Sequence, residues 1–142
     1  RRGYEIAIAT GRSQMEMQIP FETYHWLEEF NPTYTATYTD VEAASKQLGM
    51  SLDKPNPFAY YLGAFGKFPQ QYRAYTERPD DFKKGTYYVV GDSLADVWCA
   101  KVMGAVMIGT LTGLDGQAAR AMFEKEHVDY IVDSVEDILK IL

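Results

Sequence analysis

The order of apolar and polar positions along the chain predicts strands that alternate with helices from end to end. Short apolar runs are typical of strands covered on both faces of a parallel sheet, whereas apolar residues three and four positions apart indicate helices. The predicted strands are residues 4–10, 33–39, 86–90, 105–108 and 130–132. Two of the predicted helices begin at Pro20 and Asn56. The others cover 41–48, 70–75, 95–103, 117–127 and the stretch after Ser134. This alternation predicts an α/β fold, a Rossmann-like parallel sheet with helices on both faces.

Two of the predicted strands carry more specific expectations. Residues 4–10 are almost continuously apolar, so we expect a strand that is covered on both faces. Residues 33–39 have threonine at every odd position, which predicts a strand near the sheet edge with one polar face. Asp40 is then placed to cap the next helix. The apolar stripes expected for two of the helices are Phe21, Tyr24, Leu27 and Phe30, and Phe58, Tyr61, Leu62 and Phe65.

Composition and charge narrow the function classes. The chain has 142 residues, enough for one domain, and its net charge of -6 argues against a nucleic-acid footprint, which would be basic. Cys99 is the only cysteine, which excludes an internal disulfide and a cysteine metal site, and we expect it to be buried in a helix. No apolar stretch is long enough to span a membrane and no signal peptide is visible, which predicts a cytoplasmic protein.

A pair of carboxylates lies where a buried strand is predicted to turn into a helix. The segment GDSLAD, residues 91–96, directly follows the apolar run 87–90. Mg²⁺ prefers oxygen ligands and usually takes one or two protein carboxylates together with phosphate and water. The same pattern is also ordinary turn chemistry, in which Asp92 caps a helix and Asp96 is an exposed helical acid. Asp92, Ser93 and Asp96 are therefore candidates for a metal site.

The segment TGRS, residues 10–13, follows the first predicted strand. A hydroxyl, a glycine that allows close approach and exposed backbone N–H groups suit an anion such as phosphate. The alternative is a plain turn from a strand to a helix. Thr10, Gly11 and Arg12 are the candidate phosphate-binding residues.

The segment KPNP, residues 54–57, precedes a helix that Asn56 and Pro57 are suited to start. The prolines restrict the backbone beside Lys54, whose ammonium can bind a phosphate or a carboxylate. The alternative is a solvated surface lysine next to a good helix cap. Lys54 is the third candidate for phosphate chemistry.

The three segments together resemble motifs of the haloacid dehalogenase-like (HAD) hydrolase superfamily. ATGRS resembles the second motif of that superfamily, KPNP the third and GDSLAD the fourth, and the tail from residue 100 is similar to the phosphoglycolate-phosphatase-like branch. The resemblance covers nearly the whole chain. It implies a Mg²⁺-dependent phosphatase that acts on a small phosphorylated metabolite.

The resemblance also implies a role for each candidate residue. The Thr10 hydroxyl and the Gly11 amide, with Arg12 beside them, would bind the transferring phosphoryl group. Lys54 would hold the charges of the nucleophile and the phosphate together. Phosphoryl transfer depends on such positioning and charge neutralisation more than on covalent chemistry by the protein.

On the metal side, the resemblance implies that Asp92 binds Mg²⁺ with support from Ser93 and Asp96. Asp96 would act either in the metal shell or by orienting Lys54. Mg²⁺ is thus the expected cofactor, and we expect neither a nucleic acid nor a membrane as a partner.

The first motif of the superfamily, an Asp-x-Asp that supplies the nucleophile and the acid/base, does not occur in this sequence. In the superfamily its strand lies mid-sheet, between the strands that correspond here to residues 4–10 and 86–90. We therefore expect a HAD core that lacks its first, central strand, which an N-terminal segment or a second chain would supply. The start at Arg1, without Met, favours a truncated protein, and we expect the fragment alone to be inactive.

We expect a single, partial HAD-like core domain over residues 1–142. Only short elements separate Thr10 from Lys54, so no cap domain is expected within the chain. Residues 67–85 are longer than this branch usually shows. A solvated excursion with a few packed aromatic side chains is the favoured interpretation, and a partner surface is the alternative.

Two alternative functions stay open. One is another HAD activity, a dehalogenase or a phosphomutase; a dehalogenase needs no Mg²⁺, so the pair Asp92 and Asp96 counts against it. The other is a non-catalytic or regulatory module that keeps the HAD scaffold. That module would show no turnover even with the missing strand restored.

Overall fold

The computed structural model describes residues 3–142, apart from the side chain of Leu27. It consists of two compact units, one extending to Lys84 and the other spanning Gly85–Leu142. Helices alternate with strands throughout the second unit, whereas α-helices follow one another after the second strand of the first unit, and the strand pairs of both units are parallel. The predicted α/β, Rossmann-like class is therefore confirmed, whereas the single domain without a cap stays a prediction.

The first unit contains two short strands and four α-helices. They are β1 (Ile8–Ala9), α1 (Gln14–Thr23), β2 (Thr35–Ala36), α2 (Tyr38–Leu48), α3 (Phe58–Phe65) and α4 (Tyr72–Glu77). The 3₁₀ turns of this unit are Trp26–Glu28, Pro32–Tyr34, Pro69–Gln71 and Pro79–Phe82. β1 pairs with β2 in parallel, with Ile8 opposite Thr35 and Ala9 opposite Ala36.

The first strand is shorter and more exposed than its sequence predicts. Only Ile8–Ala9 forms a ladder, and the side chains of Tyr4 and Ile6 are 47% and 64% exposed. The prediction that both faces of residues 4–10 are covered is therefore wrong. A continuous apolar run indicates burial, but burial requires neighbouring elements on both sides.

The first helix begins six residues before Pro20, the predicted start. Ser13 caps it through a reciprocal capping box with Glu16, and Pro20 lies inside the helix. Of the predicted stripe, Phe21 is buried and Tyr24 is 62% exposed, while the Leu27 side chain lies outside the described residues. The helix ends before His25, which adopts the left-handed conformation with φ 56°.

The predicted strand 33–39 is mostly replaced by helical turns. Residues 32–34 form a 3₁₀ turn, and α2 begins at Tyr38. Thr37, not Asp40, is the N-cap: Asp40 is the third helical residue, and its Oδ2 accepts bonds from both the amide and the hydroxyl of Thr37 at 2.8 Å. Thr37 fits both the alternating pattern of a strand and the first position of a capping box, which is why the sequence pattern predicts a strand here.

The third helix matches its prediction closely. Phe58, Tyr61 and Leu62 are buried, and Gly66 is the C-cap. The helix begins at Phe58, two residues after Asn56. The Asn56 Oδ1 accepts a hydrogen bond from the Phe58 amide at 3.0 Å. The helix packs on β1, because a β carbon at Gly63 would lie 3.4 Å from the Ile8 carbonyl oxygen.

Residues 67–84 contribute to the core of the first unit. Tyr75 is fully buried, its ring is 4.7 Å from that of Phe82, and its hydroxyl lies 2.9 Å from Oε1 of Gln71. Tyr72 packs edge-on against Phe58 at 5.3 Å. Aromatic pairs of this kind add about 0.5–1.5 kcal/mol beyond burial. Most other residues of the segment are exposed or half-buried, so a solvated excursion with a few packed aromatic side chains describes it.

The second unit is a three-stranded parallel sheet with two α-helices. Its elements are β3 (Tyr88–Gly91), α5 (Leu94–Met103), β4 (Val106–Thr110), α6 (Ala119–Lys125) and β5 (Tyr130–Val132), with 3₁₀ segments at Gly116–Ala118 and Val135–Lys140. The strand order is β3-β4-β5. The end of α5 at Gly104, the Ser134–Asp137 capping box and the burial of Cys99 are as predicted, and only the segment boundaries move by a few residues.

Both sheets keep an open side in the part of the chain that the structure describes. The ladders of residues 3–142 join β1 only to β2, and β3 only to β4. Among these residues, no helix is long and apolar enough to cross a membrane. The cytoplasmic location stays a prediction.

Candidate active site

The predicted site residues are divided between the two units. Thr10, Gly11, Arg12 and Lys54 belong to the first unit, and the segment 91–96 belongs to the second. Each group follows the carboxyl end of a strand or precedes a helix, as the sequence predicts. In open α/β sheets, ligands bind beyond the carboxyl ends of the strands.

The turn from β3 into α5 is held together by Asp96. The Oδ2 atom of Asp96 accepts hydrogen bonds from the Asp92 amide at 3.1 Å, the Ser93 amide at 3.1 Å and the Ser93 hydroxyl at 2.8 Å. In return, the Ser93 Oγ accepts the Asp96 amide at 3.3 Å. Asp96 is therefore a buried capping-box residue and not an exposed helical acid.

Gly91, the last residue of β3, makes room for this arrangement. A β carbon at position 91 would lie 2.5 Å from Cβ of Asp96 and 2.6 Å from its Cγ. Side chains larger than hydrogen therefore do not fit at the strand end. The backbone of the turn and the Asp96 side chain pack directly against each other, which orients the start of α5.

Asp92 is the outward-facing carboxylate of the same turn. Asp92 is exposed to solvent, whereas Asp96 is buried, with only 6% of its surface exposed. It also lies next to the first turn of α5, where the helix dipole favours negative charge. On the other side, the loop after β4 approaches Asp92 at Gly113. Asp92 is thus available to a ligand while its backbone is fixed by Asp96.

The oxygen donors of this turn suit part of a magnesium site. Within residues 3–142, no group of three or more histidine, cysteine, aspartate or glutamate side chains is close enough to hold a metal alone. Mg²⁺ does not need such a cage, because it commonly takes one or two carboxylates and completes its shell with water and phosphate oxygens. Asp92 can be one of these ligands, whereas Oδ2 of Asp96 already serves the turn.

The Thr10–Ser13 turn uses most of the backbone donors that the sequence suggests for a phosphate. The Arg12 amide donates to Thr10 Oγ1 at 3.1 Å, and the Ser13 amide donates to Glu16 Oε2 at 2.7 Å. Gly11 faces open space, since a β carbon there meets no atom within 4 Å. Thr10 Oγ1 accepts one bond, which leaves its own hydrogen available to a different acceptor.

Glu16 closes this turn and is acidified by it. Its Oε2 also accepts the Ser13 hydroxyl at 2.7 Å. The hydrogen bonds from the Ser13 side chain and backbone lower the pKa of the Glu16 carboxyl, with a smaller contribution from the Arg12 charge. The negative charge next to Arg12 therefore persists at neutral pH.

Lys54 is half-buried in the loop before α3. Its Nζ donates to the Tyr60 hydroxyl at 3.0 Å and lies 4.9 Å from the centroid of the Tyr60 ring. The loop itself is anchored by Leu52, which is fully buried and whose amide donates to Ser45 Oγ at 3.2 Å. The ammonium is thus oriented, and it is not a solvated surface lysine.

Two residues of the site have no counterpart among the sequence predictions. Tyr60 lies six positions after Lys54 and looks like an ordinary helical aromatic residue. Gly113 belongs to a loop with several glycines, and the sequence does not indicate which of them contacts Asp92. The spacing of six residues from Lys54, which places Tyr60 at the start of α3, is a sequence signal that could identify Tyr60. No local signal identifies Gly113.

Comparison with known families agrees with the motifs. A family model described as HAD-hydrolase-like matches residues 52–138, which include Lys54 and the segment 91–96. The chain belongs to the HAD-hydrolase-like family. The phosphoglycolate-phosphatase-like branch is compatible with this match, and the Thr10–Ser13 turn lies outside the matched range.

A solved structure supports the same fold. A chain in an X-ray structure from the Northeast Structural Genomics Consortium is 37% identical in sequence and superposes with a TM-score of 0.92. The alignment covers 99% of this chain and 38% of that chain. This HAD-like chain thus spans well under half the length of the protein it resembles. No curated protein sequence matches it significantly.

Proposed function

We propose that this HAD-like chain is the phosphate- and metal-binding part of a Mg²⁺-dependent phosphatase for small phosphorylated metabolites. The observation that carries the proposal is the exposed Asp92 carboxylate at the carboxyl end of β3, held by the buried Asp96. A carboxylate that is fixed by its backbone and open to solvent suits a hard cation. The chemistry that a bound Mg²⁺ supplies is neutralisation of the phosphate charge.

The residues of the first unit supply the phosphate contacts in this proposal. The Thr10 hydroxyl donates to a phosphoryl oxygen, and the open position of Gly11 allows its backbone to approach the ligand. Lys54 contributes a positive charge that Tyr60 holds in one place. Positioned donors and cations of this kind account for most of the catalysis in phosphoryl transfer.

In this proposal the nucleophile comes from outside these 142 residues, because the sequence has no Asp-x-Asp. A strand of another segment or another chain supplies it and adds to an open sheet edge, such as that of β3. The exposure of Tyr88 and Val90, at 38% and 42%, supports this idea. Strands of parallel sheets are normally buried on both faces, and open edges are rarely left uncovered.

The test is an assay of this chain together with the segment or second chain that is proposed to supply the strand. Release of inorganic phosphate from a panel of small phosphoesters is measured with Mg²⁺ and with EDTA. We expect Mg²⁺-dependent turnover that falls at least about a hundredfold in Asp92→Asn, in line with loss of a metal ligand or its partners. Glu42→Gln, on an exposed face of α2, is the matched control and should keep full activity.

Four results would contradict the proposal. Full activity of Asp92→Asn would show that Asp92 is not a metal ligand. Robust turnover by the 142-residue chain alone would place the nucleophile within it. Absence of turnover on every phosphoester with the strand supplied would favour the non-catalytic module. Halide release from haloacids without Mg²⁺ would favour a dehalogenase.

A further inference from the structure

The turn after β4 packs against Asp92 more closely than a side chain allows. A β carbon built at Gly113 would lie 2.5 Å from Cβ of Asp92 and 2.7 Å from its Cγ. Real β carbons essentially never come within 3.0 Å of another heavy atom. Gly113 does not have a positive φ, so its backbone conformation is open to any residue. The space that Asp92 fills is therefore the reason that glycine is required here.

Neither partner can relieve such a contact by a small rotation. Turning the Asp92 side chain about χ1 moves its carboxylate but leaves its Cβ in place. The Asp92 amide is bonded to Asp96 Oδ2, which restrains the backbone. The turn is restrained as well: the Gly116 amide donates to the Gly113 carbonyl oxygen at 3.1 Å, and the Leu111 amide donates to the Val132 carbonyl oxygen at 3.0 Å.

The approach of Gly113 also limits where the carboxylate can point. The Asp92 amide is hydrogen-bonded to Asp96, and its side chain lies against the Gly113 backbone. A carboxylate with a restrained backbone and one blocked side has fewer rotamers to lose when it binds a ligand, so its direction is partly set before the ligand arrives. Partners outside the ligand shell that orient a metal ligand typically change metal affinity about 10–100-fold when they are altered.

We propose that Gly113 is a positioning residue for Asp92: the absence of a side chain lets the turn after β4 close against the carboxylate and set its direction toward a cation. The inference rests on the proposed function, in which Asp92 meets Mg²⁺. The close packing of Gly113 and Asp92 can be tested without any metal.

The packing is tested by a double-mutant cycle on urea unfolding of the 142-residue chain. Gly113→Ala is made in the wild type and in the Asp92→Ala and Asp92→Gly backgrounds. We expect Gly113→Ala to lower the unfolding midpoint in the wild type and in Asp92→Ala, which keeps the β carbon. In Asp92→Gly, which lacks it, the loss should shrink by more than half.

Equal losses in the Asp92→Ala and Asp92→Gly backgrounds would overturn the proposed packing. If Gly113→Ala alone does not fold, the double variant with Asp92→Gly decides the question. Folding of that double variant supports the proposal, and its failure to fold, while Asp92→Gly alone folds, overturns it.

The effect on the cation is tested by titrating Mg²⁺ into the ¹⁵N-labelled chain and following amide shifts in residues 91–96. We expect Gly113→Ala to bind Mg²⁺ about tenfold more weakly than the wild type. Leu114→Ala, a fully exposed residue of the same turn, is the control and should bind like the wild type. Unchanged affinity in Gly113→Ala would overturn the positioning role. If the wild type itself shows no shift, the proposed metal site fails, while the cycle still decides the Gly113–Asp92 packing.

Discussion

The ammonium of Lys54 is held by Tyr60 in two ways, through a 3.0 Å hydrogen bond to the hydroxyl and by a ring centroid 4.9 Å away. Both residues are half-buried, so the interaction is less screened than one in bulk water. A lysine has several rotatable bonds and loses entropy when it is held in one place. Because Tyr60 already restrains the Lys54 side chain, less of this entropy is lost when Lys54 binds an anion.

We therefore expect Tyr60→Phe to lower kcat/KM for phosphoester hydrolysis, measured with the proposed strand supplied, about fivefold to tenfold. Loss of one hydrogen bond to a charged group costs about 1.5 kcal/mol, and the phenyl ring keeps the cation–π contact. Tyr60→Leu removes both interactions and should be slower still. Tyr130→Phe, an exposed tyrosine on β5, is the matched control and should behave like the wild type. Wild-type kinetics in Tyr60→Leu would show that Tyr60 does not orient Lys54.

Asp92 and Asp96 should differ sharply in their effect on stability. Asp96→Ala removes an acceptor of three hydrogen bonds at a buried helix cap, which we expect to lower the free energy of unfolding by about 2–3 kcal/mol. Asp92→Ala removes an exposed side chain and should change it by about 0.5 kcal/mol or less. Urea unfolding followed by circular dichroism measures both. Equal losses for the two variants would contradict the division of roles between capping and ligand binding.

The buried Tyr75 should make the protein sensitive to high pH. Burial, with smaller contributions from Tyr72 and Tyr34, raises the pKa of Tyr75 from 10.0 to about 12. Because the unfolded state releases this proton first, the contribution of Tyr75 to stability is complete below pH 10 and is lost as the pH rises from 10 toward 12. We expect the free energy of unfolding to fall less steeply over this range in Tyr75→Phe. Burial also raises the pKa of Tyr72, so some slope should remain.

Tyr75→Phe has a second expected effect at neutral pH. It loses the hydrogen bond between the hydroxyl and Gln71 Oε1, which should cost about 0.5–1.5 kcal/mol. Urea unfolding at pH 8, 10 and 11 separates the two effects. Parallel stability curves for the variant and the wild type would show that Tyr75 does not titrate differently in the two states.

Thr10 should act through its hydroxyl and not through its shape. Thr10→Ser keeps the acceptor for the Arg12 amide and the donor for phosphate, so KM for a phosphoester should stay within about twofold. Thr10→Val removes both and should raise KM about tenfold, as expected for one lost hydrogen bond to a charged group. Thr23→Val, at the exposed end of α1, is the control. Equal KM values for Thr10→Ser and Thr10→Val would exclude the hydroxyl from phosphate binding.

Helix ends and strand positions were the features most accessible to sequence reasoning. The stops at Gly66 and Gly104 and the strand 130–132 are found where the sequence predicts them. These features depend on a glycine or a short apolar run and its immediate neighbours. Proline favours the first turn of a helix, which predicts a start at Pro20, whereas α1 begins after the capping box of Ser13 and Glu16 earlier in the chain.

Contacts between residues that are far apart in the chain, and the burial that results from them, cannot be predicted from local sequence patterns. In the polar segment 67–84 the sequence predicts a short helix and a few packed aromatic side chains, but it does not indicate that Tyr75 is the fully buried one. Conversely, Ile6 looks like core and is 64% exposed. Burial depends on which elements cover a residue, and the composition of the segment alone does not determine it.

The sequence by itself determined the α/β class, the HAD-like motifs and the pair of carboxylates that follows β3, because these depend on neighbouring residues and on the periods of strands and helices. Only the tertiary structure decided that Asp96 serves the backbone of its own turn and that Gly113 packs against Asp92. The second contact spans twenty-one positions and forms because β3 and β4 pair in parallel, with Gly91 opposite Gly109, so that the segments following their carboxyl ends meet. A contact of that kind is set by the register of the sheet, and no local pattern in the chain encodes it.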